Sequence, residues 1–210
     1  GLMGQETPSV LANKIVDAIK TESNPDGLFL HPGSKQYQHL CFTGGEPLMV
    51  TGQAASMGIY KALKDKNNLP KSMTFETNGT QKLKEPFKQW IKDIPEEIFF
   101  SVSPKLFTVS GEKTEKAIKP ENVAEYTECS DRGQLKFVVG SADREWDEME
   151  STVEKFRNAG VSWPVWIMPT GAREEEQTET AGKVAEKAFK KGYNVAARVH
   201  VYLFGNAIGT

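Results

Sequence analysis

The 210-residue sequence has little cysteine, with only Cys41 and Cys129, which stand far apart in the chain. Two such residues cannot build the disulfide framework of a small secreted domain, and their scarcity is typical of a protein from the reducing cytoplasm. Long apolar runs are also missing, and the first residues show no signal-peptide pattern. We therefore expect a cytoplasmic protein without a membrane span.

A surplus of charge of one sign is absent as well, because 26 Lys and Arg residues face 28 Asp and Glu residues and the net charge is −2. Without a basic field, the chain is not expected to bind nucleic acid. The sequence shows no internal repeat and no low-complexity tract. Its 38% hydrophobic and 26% charged residues are typical of a globular protein, and we expect a single domain over residues 1–210.

The most informative stretch is Thr43-Gly44-Gly45-Glu46-Pro47, which follows the apolar run Leu40–Phe42 and precedes an Ala-rich helical segment. Adjacent glycines let a ligand approach the main chain, and Glu46 adds a carboxylate beside it. Carbonyl and carboxylate oxygens together can accept hydrogen bonds from an ammonium group. An ordinary strand-to-helix turn with a solvated glutamate is the alternative. The position directly after a strand favours the ligand site.

Polar or glycine-containing segments also follow other apolar runs. A carboxylate and an amide at a strand end can bond to ribose hydroxyls, although an Asn-Gly pair can equally serve only as a turn. The segments are Glu76-Thr77-Asn78-Gly79-Thr80 after Met73–Phe75, Ser103-Pro104-Lys105 after Ile98–Val102, and Met168-Pro169-Thr170-Gly171 after Val165–Ile167.

Six predicted strands alternate with helical segments, which predicts an α/β fold with a parallel sheet. We expect an open or incomplete (β/α) barrel with its site at the carboxyl ends of the strands. The clearest helix spans Glu174 to Lys191, with acidic residues at its start and basic residues at its end. Lys136, inside an apolar strand, points either outward or into the barrel. The predicted strands are Gln38–Phe42, Met73–Phe75, Ile98–Val102, Leu135–Val139, Val165–Ile167 and Asn194–Leu203.

The glycine stretch resembles the motif by which radical S-adenosylmethionine (SAM) enzymes bind the amino group of SAM. Taken in order, several segments resemble the 7-carboxy-7-deazaguanine synthase family of queuosine and 7-deazapurine biosynthesis. The resemblance covers Gln38 to Leu203 and rests on TGGEP at 43–47, ETNGT at 76–80, SPK at 103–105, LKFVV at 135–139 and HVYL at 200–203. It implies an incomplete barrel of the radical SAM type.

The resemblance also implies roles for single residues. Gly44, Gly45 and Glu46 would hold the methionine moiety of SAM, and Glu76 its ribose. Thr43 and His200 would face the pterin substrate, with His200 as the catalytic residue. Further contacts to SAM would come from Ser103, Pro104, Lys105, Met168, Pro169, Thr170 and Gly171. Met168 replaces a family glutamine, so only main-chain contacts are expected there.

The reaction implied is the conversion of 6-carboxy-5,6,7,8-tetrahydropterin to 7-carboxy-7-deazaguanine by radical ring contraction with loss of ammonia. The family uses SAM, a [4Fe-4S] cluster and Mg²⁺, and the resemblance implies a homodimer served by an external electron donor such as flavodoxin. The cluster needs three thiolates, usually in a CxxxCxxC loop, and this sequence has no such loop. We expect the cluster-bearing segment to lie N-terminal to these residues, unless the chemistry has been lost.

Two other functions remain open at this point. An activase that places a glycyl radical on a partner enzyme shares the TGGEP motif, and a non-catalytic SAM- or pterin-binding domain would need no cluster. His31 and His39 have no partner at metal-ligand spacing, so surface or packing roles are expected for both. No residue of this sequence is assigned as a metal ligand.

Overall fold

The structure is a computed structural model that describes residues 6–171 and 174–204, without the side chains of residues 174–179, 200, 202 and 204. None of the helices in these ranges combines the length and the hydropathy needed to cross a membrane. The helices are α1 (Pro8–Ala18), α2 (Val50–Asp65), α3 (Glu85–Asp93), α4 (Phe107–Ser110), α5 (Thr114–Ala117), α6 (Pro120–Cys129), α7 (Asp143–Asn158), α8 (Glu174–Lys190) and α9 (Val199–Phe204). The strands are β1 (Leu40–Phe42), β2 (Ser72–Thr77), β3 (Glu97–Val102), β4 (Gly133–Val139), β5 (Val165–Pro169) and β6 (Asn194–Val195).

The six strands lie in one sheet in the order in which they occur in the chain. The pairs β1–β2, β4–β5 and β5–β6 are parallel, and a helix connects the two strands of each pair. Parallel neighbours need such crossovers, because the chain must return to the same end of the sheet. A closed (β/α)₈ barrel has eight strands, so the predicted α/β fold with an incomplete parallel barrel is confirmed.

The chain packs as two compact units. The first unit holds the residues up to Thr77 together with Gln81–Phe100 and Glu128–Arg132. The second unit holds Asn78–Thr80, Ser101–Thr127 and the residues from Gly133 onward. The ends of β1 and β2 therefore belong to the first unit, and the ends of β3, β4 and β5 belong to the second.

In the first unit, the side chains of β1 and β2 alternate between a buried apolar face and a more polar face. Phe42 and Phe75 are buried and stack with ring centroids 4.9 Å apart, and Phe75 also contacts Phe87 of α3 at 5.4 Å. Burying a side chain of this size stabilises a fold by about 1.5–3 kcal/mol. Cys41 and Glu76, on the opposite face, are exposed. Because successive side chains of a strand point to opposite faces, the carboxylate of Glu76 points away from the core.

In the second unit, β4 alternates in the same way. Leu135, Phe137 and Val139 are buried, and Lys136 is half-buried on the other face. Phe137 contacts Phe156 of α7, with ring centroids 6.4 Å apart. Lys136 therefore lies on the face of β4 that is turned away from α7, which favours the barrel-interior interpretation over the outward one.

The prediction of a last strand over Asn194–Leu203 was wrong. β6 has only two residues, Asn194–Val195, and the second half of the segment lies in α9. Val201 is 1% exposed, whereas Val199 and Leu203 are 58% and 66% exposed. Residues two apart point in different directions on a helix, so burial of Val201 alone suits α9. Local β-propensity gives way here to the packing of the surrounding chain.

Candidate functional site

The turn after β1 leaves its main chain open. Gly44 and Gly45 have φ angles of +80° and +56°, a left-handed conformation that glycine adopts without steric cost. A Cβ built on either residue would meet no atom within 4 Å. The two glycines therefore meet the demands of the turn and leave room for a ligand beside the backbone.

The carboxylate of Glu46, the next residue, is held in a defined orientation. The hydroxyl of Thr77 donates a 2.6 Å hydrogen bond to its Oε1, and the amide of Leu48 donates a 3.0 Å bond to the same oxygen. Glu46 itself is half-buried. A negative group thus stands beside the open glycine turn, as an acceptor for a cationic ligand group requires.

Glu76 lies close to the same turn. The parallel register of β1 and β2 pairs Phe42 with Phe75, so the residues that follow, Thr43 and Glu76, are also neighbours. The hydroxyl of Thr43 donates a 3.3 Å hydrogen bond to Oε2 of Glu76, and both residues are exposed. The first unit therefore brings together all of its predicted site residues, from Thr43 to Glu46 and Glu76.

Sequence reasoning missed Gln53, a buried polar residue of α2. It links the segment after β1, at Leu48, to the segment after β2, at Lys82 and Lys84. Its side-chain Nε2 donates to the carbonyls of Leu48, at 2.7 Å, and Lys82, at 2.9 Å. Its Oε1 accepts a 2.8 Å bond from the amide of Lys84. The side chain is 2% exposed, so these bonds are needed to offset its burial. A glutamine among inward-facing apolar positions was the signal that could have identified it.

The Asn78–Thr80 segment belongs to the second unit and is organised as a turn. Oδ1 of Asn78 accepts hydrogen bonds from the amide and the hydroxyl of Thr80, at 2.9 and 2.7 Å. Gly79 has a φ of +80°, and a Cβ there would lie 2.8 Å from Cγ1 of Val102. Asn122 of α6 donates a 2.8 Å bond to the carbonyl of Thr80. The contacts of Asn78 and the backbone of Gly79 therefore match the interpretation of this Asn-Gly pair as a turn.

The Ser103–Lys105 segment runs from the end of β3 to α4. Ser103 and Lys105 are half-buried and Pro104 is buried. The carboxylate of Glu148, on α7, anchors the first turn of α4, where it accepts bonds from the amides of Phe107, at 2.7 Å, and Thr108, at 2.8 Å. α4 has no side-chain cap of its own, so Glu148 takes that place from another helix.

The Met168–Gly171 segment is held mainly through its backbone. The amide of Thr170 donates a 2.9 Å bond to the carbonyl of Val139, at the end of β4. The guanidinium of Arg198 donates to the carbonyl of Gly171. Met168 is half-buried on β5. The structure thus places the two segments that end β3 and β5 in the second unit, each tied to a neighbouring element.

The predicted role of His200 stays a prediction. Its backbone belongs to α9, and its side chain lies outside the described residues. His39 is described and lies beside Ser72 and Thr74, with Nδ1 2.8 Å and Nε2 2.6 Å from their hydroxyl oxygens. Partial burial lowers the pKa of His39 below the ordinary 6.5, so its ring is neutral at pH 7.

The cysteines do not fit an iron–sulfur cluster. Cys41 is exposed on β1 and Cys129 is half-buried at the end of α6, and the sequence has no third cysteine. Within the described part of the chain, no group of three His, Cys, Asp or Glu residues is placed to hold a metal ion. These residues therefore cannot provide the three thiolates that the family's cluster needs.

No protein-family model matches the sequence, but two curated proteins are similar to it. The 7-carboxy-7-deazaguanine synthase of Rhodopirellula baltica is 26% identical over 183 residues, which cover 82% of this chain and 64% of that protein. The 7-carboxy-7-deazaguanine synthase of Pyrobaculum aerophilum is 27% identical over 172 residues, which cover 81% of this chain and 67% of that protein. The chain thus spans about two thirds of the length of these relatives.

Among solved structures, Streptococcus suis SuiB is similar at a TM-score of 0.48 and 12% identity, covering 84% of this chain and 44% of SuiB. SuiB bound to S-adenosylmethionine is similar at a TM-score of 0.47 and 13% identity, and the match covers 84% of this chain and 43% of SuiB. SuiB bound to precursor peptide SuiA is similar at a TM-score of 0.49 and 11% identity, and the match covers 78% of this chain and 39% of SuiB.

The order of the motifs and the two curated relatives point to the same family. The predicted resemblance to the 7-carboxy-7-deazaguanine synthase family is thereby confirmed, because both similar proteins carry that name.

Proposed function

We propose that this chain contains the SAM-binding region of a radical SAM lyase, a 7-carboxy-7-deazaguanine synthase. Its reaction would be the ring contraction of 6-carboxy-5,6,7,8-tetrahydropterin with loss of ammonia. The observation that carries the proposal is the Glu46 carboxylate, oriented by Thr77 and Leu48 beside two left-handed glycines that face open space. Similarity to two curated 7-carboxy-7-deazaguanine synthases supports the choice of reaction.

In the first unit, each of the predicted site residues would have its own chemical role. The carboxylate of Glu46 and the main-chain carbonyls of Gly44 and Gly45 would accept hydrogen bonds from the ammonium group of the methionine moiety. Glu76 would accept bonds from the ribose hydroxyls. Thr43, whose hydroxyl donates to Glu76, would lie beside the pterin. The contribution of the protein is to bind and orient the reactants and to keep water away from them.

The second unit would provide further contacts to SAM through the ends of β3 and β5, as the resemblance implies. The hydroxyl of Ser103 and the ammonium of Lys105 suit a ribose or a carboxylate, and Pro104 shapes the segment between them. Met168, Pro169, Thr170 and Gly171 would contact SAM through their main chain. His200 would face the pterin as the catalytic residue.

The iron–sulfur cluster is not assigned to any residue of this chain, because its two cysteines lie on β1 and at the end of α6. We propose that residues beyond these 210 hold the cluster and the Mg²⁺, and no chemical step is derived through either. The family resemblance also supports a cytoplasmic homodimer with a small-molecule pterin substrate, an external electron donor such as flavodoxin, and no nucleic-acid or membrane partner.

The proposal is tested with the full-length protein, reconstituted anaerobically with iron and sulfide. Incubated with SAM, a reductant and 6-carboxy-5,6,7,8-tetrahydropterin, it should form 7-carboxy-7-deazaguanine and ammonia, detected by mass spectrometry. A protein that forms a cluster but does not bind the carboxypterin would contradict the synthase and leave the activase. A protein that binds SAM but never shows a cluster absorption band would be a non-catalytic binding domain.

The role of Glu46 is tested by Glu46→Gln, which keeps the shape of the side chain and removes its charge. SAM should bind roughly tenfold to a hundredfold more weakly, because a hydrogen bond to a charged group is lost. Isothermal titration calorimetry measures the dissociation constant. The matched control is Glu154→Gln, an exposed glutamate of α7, which should leave it unchanged. Equal affinities in wild type and Glu46→Gln would remove Glu46 from the site.

A further inference from the structure

The hydroxyl of Thr77 is a buried group with a specific partner. Thr77 ends β2 and is 4% exposed, on the same side of the strand as the buried Met73 and Phe75. Its bond of 2.6 Å to Oε1 of Glu46 is short, as expected where a hydroxyl donates to a carboxylate. A buried hydroxyl without such a partner would destabilise the fold. The residue is therefore committed to Glu46 for both stability and geometry.

The second donor to the same oxygen is fixed as well. The amide of Leu48 reaches Oε1 of Glu46 at 3.0 Å, and the carbonyl of Leu48 accepts a 2.7 Å bond from Gln53. Gln53 also binds the backbone of Lys82 and Lys84. Leu48, the residue that carries one donor, is thus tied through Gln53 to the backbone that follows β2. The other donor, Thr77, is the last residue of β2.

These contacts restrict the motion of the Glu46 side chain. Two donors bind one oxygen, so moving that oxygen away would break both bonds. A glutamate held in this way loses less conformational freedom when a cation binds to it than a solvated one does. The side-chain donor that orients Glu46 before binding is therefore Thr77 of β2, and the amide of Leu48 is the main-chain donor.

We propose that Thr77 is a positioning residue, which orients Glu46 for recognition of the ammonium group of the amino-acid moiety of the ligand. The proposal rests on the proposed function, in which that ligand is SAM. Thr77 does not touch the ligand and acts through Glu46. Affinity for the amino-acid moiety therefore depends on the Thr77 hydroxyl, while affinity for the nucleoside moiety does not.

The test compares two ligands in the full-length, cluster-loaded protein by calorimetry. SAM carries the ammonium group on its amino-acid moiety, and 5′-methylthioadenosine keeps the nucleoside, with a neutral thioether sulfur, but lacks the amino-acid moiety. Thr77→Val, which removes only the hydroxyl, should weaken SAM binding about tenfold, the size of one lost charged hydrogen bond. The affinity for 5′-methylthioadenosine should change less than about twofold. Thr77→Ser keeps the hydroxyl and should restore most of the SAM affinity.

Further readouts separate positioning from a general structural role. In turnover assays, Thr77→Val should raise the KM for SAM while kcat at saturating SAM stays nearly unchanged. Thr127→Val is the matched control, because that hydroxyl donates only to the carbonyl of Ala124 within α6. Thr77→Ala serves in the same comparison if the valine variant does not fold.

Two outcomes would overturn the inference: an unchanged SAM affinity in Thr77→Val and Thr77→Ala, or an equal loss for both ligands. The second outcome would show that Thr77 supports the fold of the site as a whole. A wild-type protein that binds neither ligand would instead overturn the proposed function, and the inference with it. The ligand pair thus distinguishes failure of the positioning role from failure of the function.

Discussion

The two units hold their strand ends in different ways. In the first unit, the side chains of Thr77 and Thr43 orient the carboxylates of Glu46 and Glu76. Gln53 of the first unit also binds the backbone. In the second unit, the side chains described at the strand ends bind the backbone, as Asn122 does at Thr80 and Glu148 does at α4. Substitutions in the first unit should therefore change ligand recognition, and those in the second should change loop geometry and stability.

Gly44 and Gly79 give the sharpest version of this comparison, because both have a φ of +80°. Only Gly79 is crowded, with its hypothetical Cβ 2.8 Å from Val102 and 3.0 Å from Val123. Gly79→Ala combines backbone strain with overpacking and should lower the free energy of unfolding by about 2–4 kcal/mol. Gly44→Ala carries only the strain, about 1–2 kcal/mol. Urea denaturation measures both.

The variants Gly44→Ala and Gly79→Ala should also differ in their affinity for SAM. Gly44→Ala adds a methyl group where the open turn faces the proposed ligand, so SAM affinity should fall by more than the small loss of stability explains. Gly79→Ala should affect SAM affinity only through its effect on the fold. Equal losses of stability in the two variants would show that the crowding around Gly79 relaxes, and would remove this contrast between the units.

Glu148 tests the backbone support of the second unit. Glu148→Ala removes the acceptor of two amides and of the Thr108 hydroxyl. The loss resembles that of a helix cap and should lower the free energy of unfolding by about 1–2 kcal/mol. Urea denaturation measures it, with Glu154→Ala, on the exposed face of α7, as the control. A change in SAM affinity without a change in stability would contradict the structural role.

The smallest effect is expected from His39, on the polar face of the first unit. Its pKa is lowered in the folded state by partial burial, so the unfolded chain binds the proton more readily. The stabilising contribution is complete above the ordinary pKa of 6.5 and is lost as pH falls from there towards the folded pKa. Wild type should therefore lose more stability than His39→Gln in this window. The measurement is the free energy of unfolding of both proteins from about pH 5 to about pH 8. A difference between wild type and His39→Gln that does not change with pH would contradict this prediction.

Periodicity was sufficient for much of the fold. Trp146, Met149, Val153 and Phe156 recur at helical spacing in the sequence, and all four are buried in α7. Gly160, with a φ of +91°, follows that helix as a left-handed stop. The same reasoning failed at the end of the chain, where β-branched residues alternate within α9, because propensity is a weaker force than tertiary packing in so short a segment.

The candidate site was only partly predictable. Glu46 and Glu76 stood out because carboxylates follow predicted strands, and the parallel pairing of β1 with β2 brings their segments together. Thr77, Gln53 and Glu148 did not stand out, since each looks ordinary in its local sequence. Their partners lie 31, 29 and 40 residues away, and no local pattern contains such a pairing.

The sequence by itself determined the alternation of strands and helices, the glycine turn and the resemblance to the synthase family, because these depend on local residue order. Tertiary structure alone decided which oxygen of Glu46 is held, which side chains hold it, and that the chain after β6 is helical. The physical reason is that burial and hydrogen-bond partners are set by segments that are distant in the chain and meet only when the sheet is assembled.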